Sequence, residues 1–282
     1  MADVSARPAL TVVGAVNIDL TAHVRRAPSA GETVADGILA RQPGGKGANQ
    51  AIAAARLGAD VRLVAAVGDD GDGREMTENL RTAGVGVDGV QRVAHATGTA
   101  LIVVDASGEN SIVVCPGANG HVDPAAIRMD PHAAVLAQLE IPAAVVETVV
   151  AATDGFVAIN ASPAGELSPA LSARGDLFIV NETEFAALPH LRDARLTAVT
   201  LGARGAILLR RGVQVAEAAV PATEIVNTVG AGDAFAAALA VGLLRGDAPE
   251  TALRRACAVG AAAVADPHSQ PALRPLDDYP AG

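Results

Sequence analysis

Short β-branched and apolar runs alternate along this chain with alanine-rich stretches of helical character. The runs predict strands at residues 10–16, 61–67, 134–139, 155–159, 177–180 and 197–201. The stretches between them predict helices at residues 48–57, 73–83, 142–152, 182–188, 231–245 and 249–265. Continuously apolar strands separated by helices are typical of a parallel sheet that is buried on both faces. The sequence therefore predicts an α/β fold with a mostly parallel sheet.

Two segments, residues 23–42 and 99–114, depart from this alternation. The second segment contains two β-rich runs around the turn DASGEN, which is the form of a hairpin. We expect the two segments to form a small antiparallel sheet that stands off the main one. A length of 282 residues, half of them hydrophobic, favours one large domain over residues 1–282.

The charge and the cysteines of the chain limit which binding partners and which cellular compartment we expect. The net charge of −10, with both signs interspersed, disfavours nucleic acid and anionic membranes as partners. Cys115 and Cys257 lie far apart in apolar surroundings, which predicts reduced, packed thiols in a cytoplasmic protein. The first apolar run, residues 9–16, is too short for a signal or membrane segment and predicts a buried strand.

Polar residues follow the predicted strands at the points where the strands end. In open α/β sheets the carboxyl ends of the strands are where ligands bind. Each such residue taken alone could instead be a turn or cap residue, but their coincidence favours a site. The residues are Asn17, Asp19, Glu140, Asn160, Asn181, Thr200 and Gly202.

A glycine-rich turn at residues 226–233, VNTVGAGD, is followed at once by an apolar run that predicts a helix. Gly230 and Gly232 let the backbone approach a ligand, and the free N–H groups of a helix start favour a phosphate. Asp233 places a carboxylate beside this anion cradle, where its use would be to accept a proton from an attacking hydroxyl. The alternative is an acidic residue that merely stabilises a helix start.

A second glycine-rich segment, GGKGAN at residues 44–49, leads into the predicted first helix. Lys46 and Asn49 supply a cation and an amide that could bind a polyhydroxylated ligand. The segment is not a Walker loop, because no Ser or Thr follows the lysine. The segment 84–89, GVGVDG, matches a dinucleotide-binding pattern but opens no helix, so we predict a turn there.

Taken in order, the motifs of this chain resemble those of the ribokinase-like (PfkB) sugar and nucleoside kinases. The resemblance covers about residues 12–275 and includes VGAVNIDL, PGGKGANQAIAAARLGA, VGDDGDG, QLEIP, NETE and NTVGAGDAF. It implies a three-layer α/β/α sheet with a small β-sheet lid at about residues 18–42 and 97–115. It also implies a homodimer formed through the lid strands.

The resemblance assigns roles to individual positions. It implies that Asp233 is the catalytic base and that the backbone of Gly230, Ala231 and Gly232 forms an anion hole. The implied sugar-binding residues are Asn17, Asp19, Gly45, Lys46, Asn49 and Glu140, together with Asp233. The implied nucleotide contacts are Asn181, Thr200, Gly202, Gly205, Gly230 and Gly232. Glu184 would organise Mg²⁺, largely through water, alongside ATP.

Three residues depart from the pattern of potassium-activated relatives. Asn227 stands where an Asp is usual and is the candidate ligand of a monovalent cation. His268 replaces a small glycine, and Ala272 stands where a hydroxyl is often found. Loss of a full negative charge should weaken capture of K⁺, and the bulk of His268 would fill the cavity.

The expected function is ATP-dependent phosphorylation of the primary hydroxyl of a small furanose, with D-ribose as the expected acceptor. Two alternatives stay open from the sequence. One is the same chemistry on a nucleoside, fructose or another sugar, and the other is a catalytically silent sugar-binding regulatory protein.

Overall fold

The computed structural model describes residues 7–281 of the chain. Its strands are β1 (Ala9–Val13), β2 (Asn17–His23), β3 (Ile38–Gly44), β4 (Asp60–Gly68), β5 (Gly86–Val93), β6 (Gly98–Val104), β7 (Asn110–Cys115), β8 (Ala134–Gln138), β9 (Val157–Asn160), β10 (Leu177–Asn181), β11 (Thr197–Thr200), β12 (Ala206–Arg210) and β13 (Val213–Ala218). Its α-helices are α1 (Lys46–Arg56), α2 (Gly71–Thr82), α3 (Ala143–Ala151), α4 (Pro169–Arg174), α5 (Glu182–Ala187), α6 (Ala231–Leu244) and α7 (Pro249–Val264).

Nine strands form the main sheet in the order β13-β12-β11-β10-β9-β8-β1-β4-β5. The seven strands from β11 to β5 are parallel, and β12 and β13 form an antiparallel hairpin at one edge. This confirms the predicted α/β class and the mostly parallel sheet.

Helices cover both faces of the main sheet, which gives three layers. Successive residues of a strand point to opposite faces, so Val12 joins one core and Val13 joins the other. Helices α1, α2, α6 and α7 pack on the first face, and α3 and α4 pack on the second. Burial on both faces is the physical reason that these strands are continuously apolar.

Every predicted strand and helix of the main sheet is present, with shifted ends. The first predicted strand is the largest error, because β1 ends at Val13 and residues 14–16 lead into a separate strand. The prediction of a turn at residues 84–89 was wrong in part. Gly84 lies in a turn at φ +84°, but Gly86 begins β5, an edge strand that the sequence analysis missed.

Four strands form a second sheet, which we call the small sheet, in the order β3-β2-β6-β7. The hairpin predicted at residues 99–114 is confirmed as the antiparallel pair β6–β7. The small sheet is not wholly antiparallel, however, because β2 and β6 pair in parallel. Asn17 and Asp19 do not lie at the carboxyl end of the first strand as predicted, because β1 already ends at Val13. They lie within β2, so the small sheet carries them.

The two cysteines are free thiols, but only Cys257 is packed as predicted. Cys115 ends β7 with an exposed side chain, which contradicts the expectation of two buried thiols. Burial raises the pKa of the Cys257 thiol to about 11. Among the helices at residues 7–281, none combines the length and apolarity that a membrane crossing requires.

Candidate active site

A cavity of about 730 Å³ opens between the small sheet and the carboxyl ends of the main strands. Most of the residues singled out in the sequence line it: Asn17, Asp19, Gly45, Lys46, Asn49, Glu140, Asn160, Asn181, Glu184, Thr200, Asn227, Gly230, Gly232 and Asp233. Gly202, Gly205 and Ala231 are not among the lining residues. Parallel strands bring their carboxyl ends to one edge of the sheet, which is why residues distant in sequence meet here.

The small sheet presents Asp19 to the cavity through close packing against β3. A Cβ atom at Gly44 would overlap the Asp19 carboxylate, so the absence of a side chain there makes room for the acid. Gly45 follows at φ +87° as the N-cap of α1, a left-handed conformation that favours glycine. The GGKG segment thus serves both the turn into α1 and the placement of Asp19.

Glu140 and Lys46 meet at the start of α1. The backbone N–H of Lys46 donates a 2.9 Å hydrogen bond to Oε2 of Glu140. The ammonium Nζ of Lys46 lies 4.0 Å from Oε1 of the same carboxylate. A carboxylate at a helix N-terminus is stabilised by the free N–H groups and by the helix dipole.

Four carboxylates, those of Asp19, Glu140, Glu184 and Asp233, share this cavity with the ammonium group of Lys46. Burial is the main reason that the pKa of Asp19 rises from 3.8 to about 6, with further contributions from Glu140 and Asp233, while Lys46 acts in the opposite direction. Burial likewise raises the pKa of Glu140, against the lowering effect of Lys46. Burial alone would lower the pKa of Lys46, but the carboxylates around it raise the value overall. Lys46 is therefore charged at neutral pH.

Asp233 lies in the first turn of α6 and is only 7% exposed. Gly230, the N-cap of this helix, has φ +80°, and a Cβ atom there would overlap the carbonyl oxygen of Ser269. Nδ2 of Asn49 donates to Oδ2 of Asp233 at 3.0 Å, and Nε2 of Gln50 donates to Oδ1 at 3.0 Å. Two amides of α1 therefore hold both oxygens of one carboxylate at the N-terminus of α6.

The far end of the cavity is built by β10, β11 and α5. Asn181 caps α5 by accepting the Glu184 N–H at 2.8 Å, and Oε2 of Glu184 accepts the Asn181 N–H at 2.8 Å. This capping box fixes a buried carboxylate at the cavity wall. Gly205, by contrast, sits at φ +104° against the carbonyl of Ala218, where its role in the structure is conformational. Its contact with a nucleotide stays a prediction.

Asn227 and His268, which depart from the pattern of potassium-activated relatives, both form hydrogen bonds with residues of the segment 266–268. Nδ2 of Asn227 donates to the carbonyl oxygen of Pro267 at 2.9 Å. The expectation that His268 fills a cavity was wrong, because its side chain is 75% exposed. Nδ1 of His268 lies 2.8 Å from Oδ1 of Asp266, which draws the ring outward.

Sequence reasoning missed several buried amides behind the lining residues. They are Gln50, Asn119, Gln138 and Gln270. Nδ2 of Asn119 donates to Oδ1 of Asn17 at 2.7 Å, and Nε2 of Gln270 donates to Oδ1 of Asn49 at 3.1 Å. Only Gln50 carried a usable signal, since it follows Asn49 directly in an otherwise apolar helix.

These features combine a carboxylate, a polar pocket and a helix N-terminus that favours anions. They are the parts required to move a phosphoryl group onto a hydroxyl. The fold and this site define a phosphotransferase with an alcohol group as acceptor. The model of the pfkB family carbohydrate kinases matches residues 7–275, and the chain belongs to that family.

Individual relatives agree with this assignment. The chain is 38% identical over 264 residues to a ribokinase of Bacillus subtilis, covering 87% of this chain and 89% of the relative. It is 31% identical to a deoxyribokinase of Salmonella typhi, covering 96% of this chain and 98% of the relative. The structure of Arabidopsis thaliana ribokinase complexed with ribose and ATP is similar with a TM-score of 0.84 and 28% identity, covering 96% of this chain and 97% of that one.

Proposed function

We propose that this protein transfers the γ-phosphoryl group of ATP to the primary hydroxyl of D-ribose, forming ribose 5-phosphate. The observation that carries the proposal is the position of Asp233. Its buried carboxylate faces the cavity at the N-terminus of α6, with its oxygens held by Asn49 and Gln50. A general base and an anion cradle therefore meet at one point of the cavity.

The sugar would occupy the polar end of the cavity beside Asp233. There Asp19 and Glu140 supply hydrogen-bond acceptors, and Lys46 and Asn49 supply donors. Asn17 completes this set: because its Oδ1 accepts from Asn119, its Nδ2 is left to donate toward the cavity. With Gly45 they form a compact, hydrogen-bonding pocket that suits a small polyol. The relative bound to ribose and the ribokinases among the curated relatives support ribose as this polyol.

The nucleotide would occupy the opposite end, along Asn181 and Thr200, with the turn at Gly202 and Gly205 near the base of ATP. Glu184 fits a role in holding Mg²⁺ through water. Its carboxylate is fixed by the capping box through Oε2, which leaves Oε1 to accept from a metal-bound water. When bound, Mg²⁺ would neutralise charge on the phosphates.

During transfer, Asp233 would take the proton of the acceptor hydroxyl as its oxygen bonds to the γ-phosphorus and the bond to ADP breaks. The backbone N–H groups of Gly230, Ala231 and Gly232 would hold the oxygens of the moving phosphoryl group. Lys46 would balance the carboxylates around the sugar. Positioning and electrostatic stabilisation supply most of the rate in this class of reaction.

The small sheet would act as the lid over the sugar, within one kinase domain spanning residues 1–282. Its strands carry unusually exposed apolar side chains, including Ile38 at 72% and Val113 at 62%. Such a surface favours contact with the same sheet of a second copy, so we propose a homodimer. The exposed and buried free thiols fit a reducing, cytoplasmic setting.

A kinase with another acceptor is the second candidate function. The deoxyribokinase relative favours this candidate, because that protein differs from ribokinases in the sugar it is named for. A nucleoside and fructose are further acceptors of the same fold and chemistry. A silent sugar-binding protein is disfavoured, because such a protein would have no use for Asp233 in its anion cradle.

The test is coupled ADP release with a panel of D-ribose, 2-deoxy-D-ribose, D-fructose and adenosine, with Mg²⁺ and ATP. We expect D-ribose to have the highest kcat/KM. Preference for another acceptor would replace ribose in the proposal, and no turnover with any acceptor would favour the silent binding protein. Sedimentation of the wild type against Val113→Asp would test the dimer, which the new charge should dissociate.

A further inference from the structure

We propose that Gln50 is a positioning residue for phosphoryl transfer, which holds the Asp233 carboxylate turned so that Oδ2 receives the proton. This inference rests on the proposed function and concerns how its base is prepared. Gln50 is fully buried, at 0% exposure, and does not line the cavity. It therefore acts through Asp233 and has no contact with a substrate in the cavity.

Gln50 lies at the centre of a chain of buried amides that spans the core. Nε2 of Gln138, on β8, donates to Oε1 of Gln50 at 2.7 Å. Nε2 of Gln50 donates to Oδ1 of Asp233 at 3.0 Å and to Oδ1 of Asn160 at 2.9 Å. Nδ2 of Asn160, at the end of β9, donates to the backbone carbonyl of Ile179 at 3.0 Å. The chain thus joins three strands to α1 and α6.

Only one orientation of the Asn160 and Gln50 amides pairs each of these donors with an acceptor. The Ile179 carbonyl only accepts, so Nδ2 of Asn160 must face it and Oδ1 of Asn160 must face Gln50. If the Gln50 amide were turned around, its oxygen would meet Oδ1 of Asn160 and the Asp233 carboxylate, and three acceptors would face one another. Both N–H bonds of Gln50 are therefore committed, and one of them always points at Asp233.

The two sides of the Asp233 carboxylate differ in their surroundings. Oδ1 is bound by Gln50, which is sealed in the core, and Oδ2 is bound by Asn49, which lines the cavity. An acceptor hydroxyl in the cavity therefore meets Oδ2. As the hydroxyl oxygen bonds to phosphorus and ADP departs, the proton passes to Oδ2, and Gln50 holds the other oxygen in place.

Gln50 supplies the hydrogen bond that Oδ1 of Asp233 receives from the core, and Asn49 supplies the one at Oδ2. Without Gln50, the carboxylate loses the contact that fixes its orientation toward an acceptor hydroxyl in the cavity. The sugar-lining residues keep their positions, because Gln50 does not line the cavity. Removal of Gln50 should consequently lower kcat before it impairs sugar binding.

The experiment compares Gln50→Met with the wild type and with Thr77→Val. Methionine keeps the volume of the side chain and removes its amide. Thr77 is a matched control, since its buried hydroxyl bonds only to the carbonyl of Gly73, in α2. Sugar dissociation constants, kcat and the pH–rate profile would be measured with the panel acceptor of highest kcat/KM in the wild type. A failure of the ribose assignment would then appear in the wild type, separately from any effect of Gln50.

For Gln50→Met we expect sugar affinity to change by less than about threefold and kcat to fall by about tenfold to a hundredfold. Thr77→Val should match the wild type in both quantities. A kcat within about threefold of the wild type, or a loss of sugar affinity equal to the loss in kcat, would overturn the proposal.

A second variant, Gln50→Glu, keeps the test decisive should the methionine variant fail to fold. A glutamate can donate to Asp233 only while it is protonated, so the ratio of wild-type to variant kcat should grow as the pH rises from 6 to 9. A ratio independent of pH would show that the side chain only fills space, which contradicts the proposal.

Discussion

Nδ2 of Asn227 donates a 2.9 Å hydrogen bond to the carbonyl oxygen of Pro267, and this contact ties the turn before α6 to the segment after α7. Oδ1 of the same amide accepts the N–H of Val229 at 3.0 Å. One neutral side chain thus braces the anion-cradle turn from both directions. The carbonyl oxygen of Pro267 already accepts this hydrogen bond, so it is less available as a ligand for a monovalent cation.

The first prediction follows from this brace. We expect turnover to differ little between K⁺ and tetramethylammonium at equal ionic strength, because no full negative charge at residue 227 offsets the dehydration of the ion. Asn227→Asp should increase the dependence on K⁺, and Asn227→Ser should not. Steep activation of the unmodified protein by K⁺ would show that backbone carbonyl groups suffice to bind the ion.

The second prediction concerns the base. Asp233→Asn should lower kcat by at least about a hundredfold, because the hydroxyl proton loses its acceptor. Sugar binding, measured by calorimetry, should stay largely intact because the amide has a similar shape. Turnover within a few-fold of the wild type would remove Asp233 from the mechanism.

The third prediction concerns pH and sugar affinity. Burial holds the pKa of Asp19 at about 6, so Asp19 loses its charge in the free protein as the pH falls through that value. Sugar hydroxyls donate to the ionised acid, and we therefore expect affinity to be flat above pH 7 and to fall by about tenfold per pH unit below 6. Asp19→Ala should lose about 1.5–3 kcal/mol of binding at pH 7.5 and flatten this profile. Calorimetric titration at several pH values would check this. A wild-type sugar affinity that does not change with pH would contradict the assignment.

The fourth prediction concerns the effect of the same pKa shift on the stability of the fold. Because the folded pKa of about 6 exceeds the ordinary 3.8, the charge on Asp19 destabilises the fold above pH 6 and the penalty disappears as the pH falls toward 4. Asp19→Asn should raise the free energy of unfolding at pH 7.5 by up to about 3 kcal/mol, while it weakens sugar binding. Denaturant unfolding at pH 7.5 and pH 4 would check this, and an equal gain at both pH values would contradict it.

The fifth prediction uses a glycine pair around β3. Gly44→Ala should lower sugar affinity by at least about tenfold, because the new Cβ displaces the Asp19 carboxylate. Gly37→Ala is the matched control, since its Cβ would meet only a side-chain methyl of Val24 at 3.5 Å. Equal affinities of the two variants would show that Asp19 tolerates displacement.

Local sequence patterns predicted much of the fold. Strands buried on both faces are continuously apolar, so six of the nine strands in the main sheet were predicted from runs such as residues 61–67, whereas the edge hairpin of β12 and β13 was missed. The edge strand β5 has the mixed sequence GVDGVQRV and was missed, because an edge strand is half exposed and its glycines are typical of turns. The parallel pairing of β2 with β6 was also unreadable, since strand pairing is a long-range contact.

By itself, the sequence determined the α/β class, the glycine turn at Gly230 and the carboxylate beside it, because each depends on neighbours within a few residues. Tertiary structure alone decided that Gln50 reaches Asp233, 183 positions away, and that Asn119 orients Asn17. It also decided the raised pKa of Asp19, which depends on burial and on charges from three separate elements. Burial and electrostatic coupling are properties of distances in space, and a sequence pattern does not contain those distances until the chain is folded.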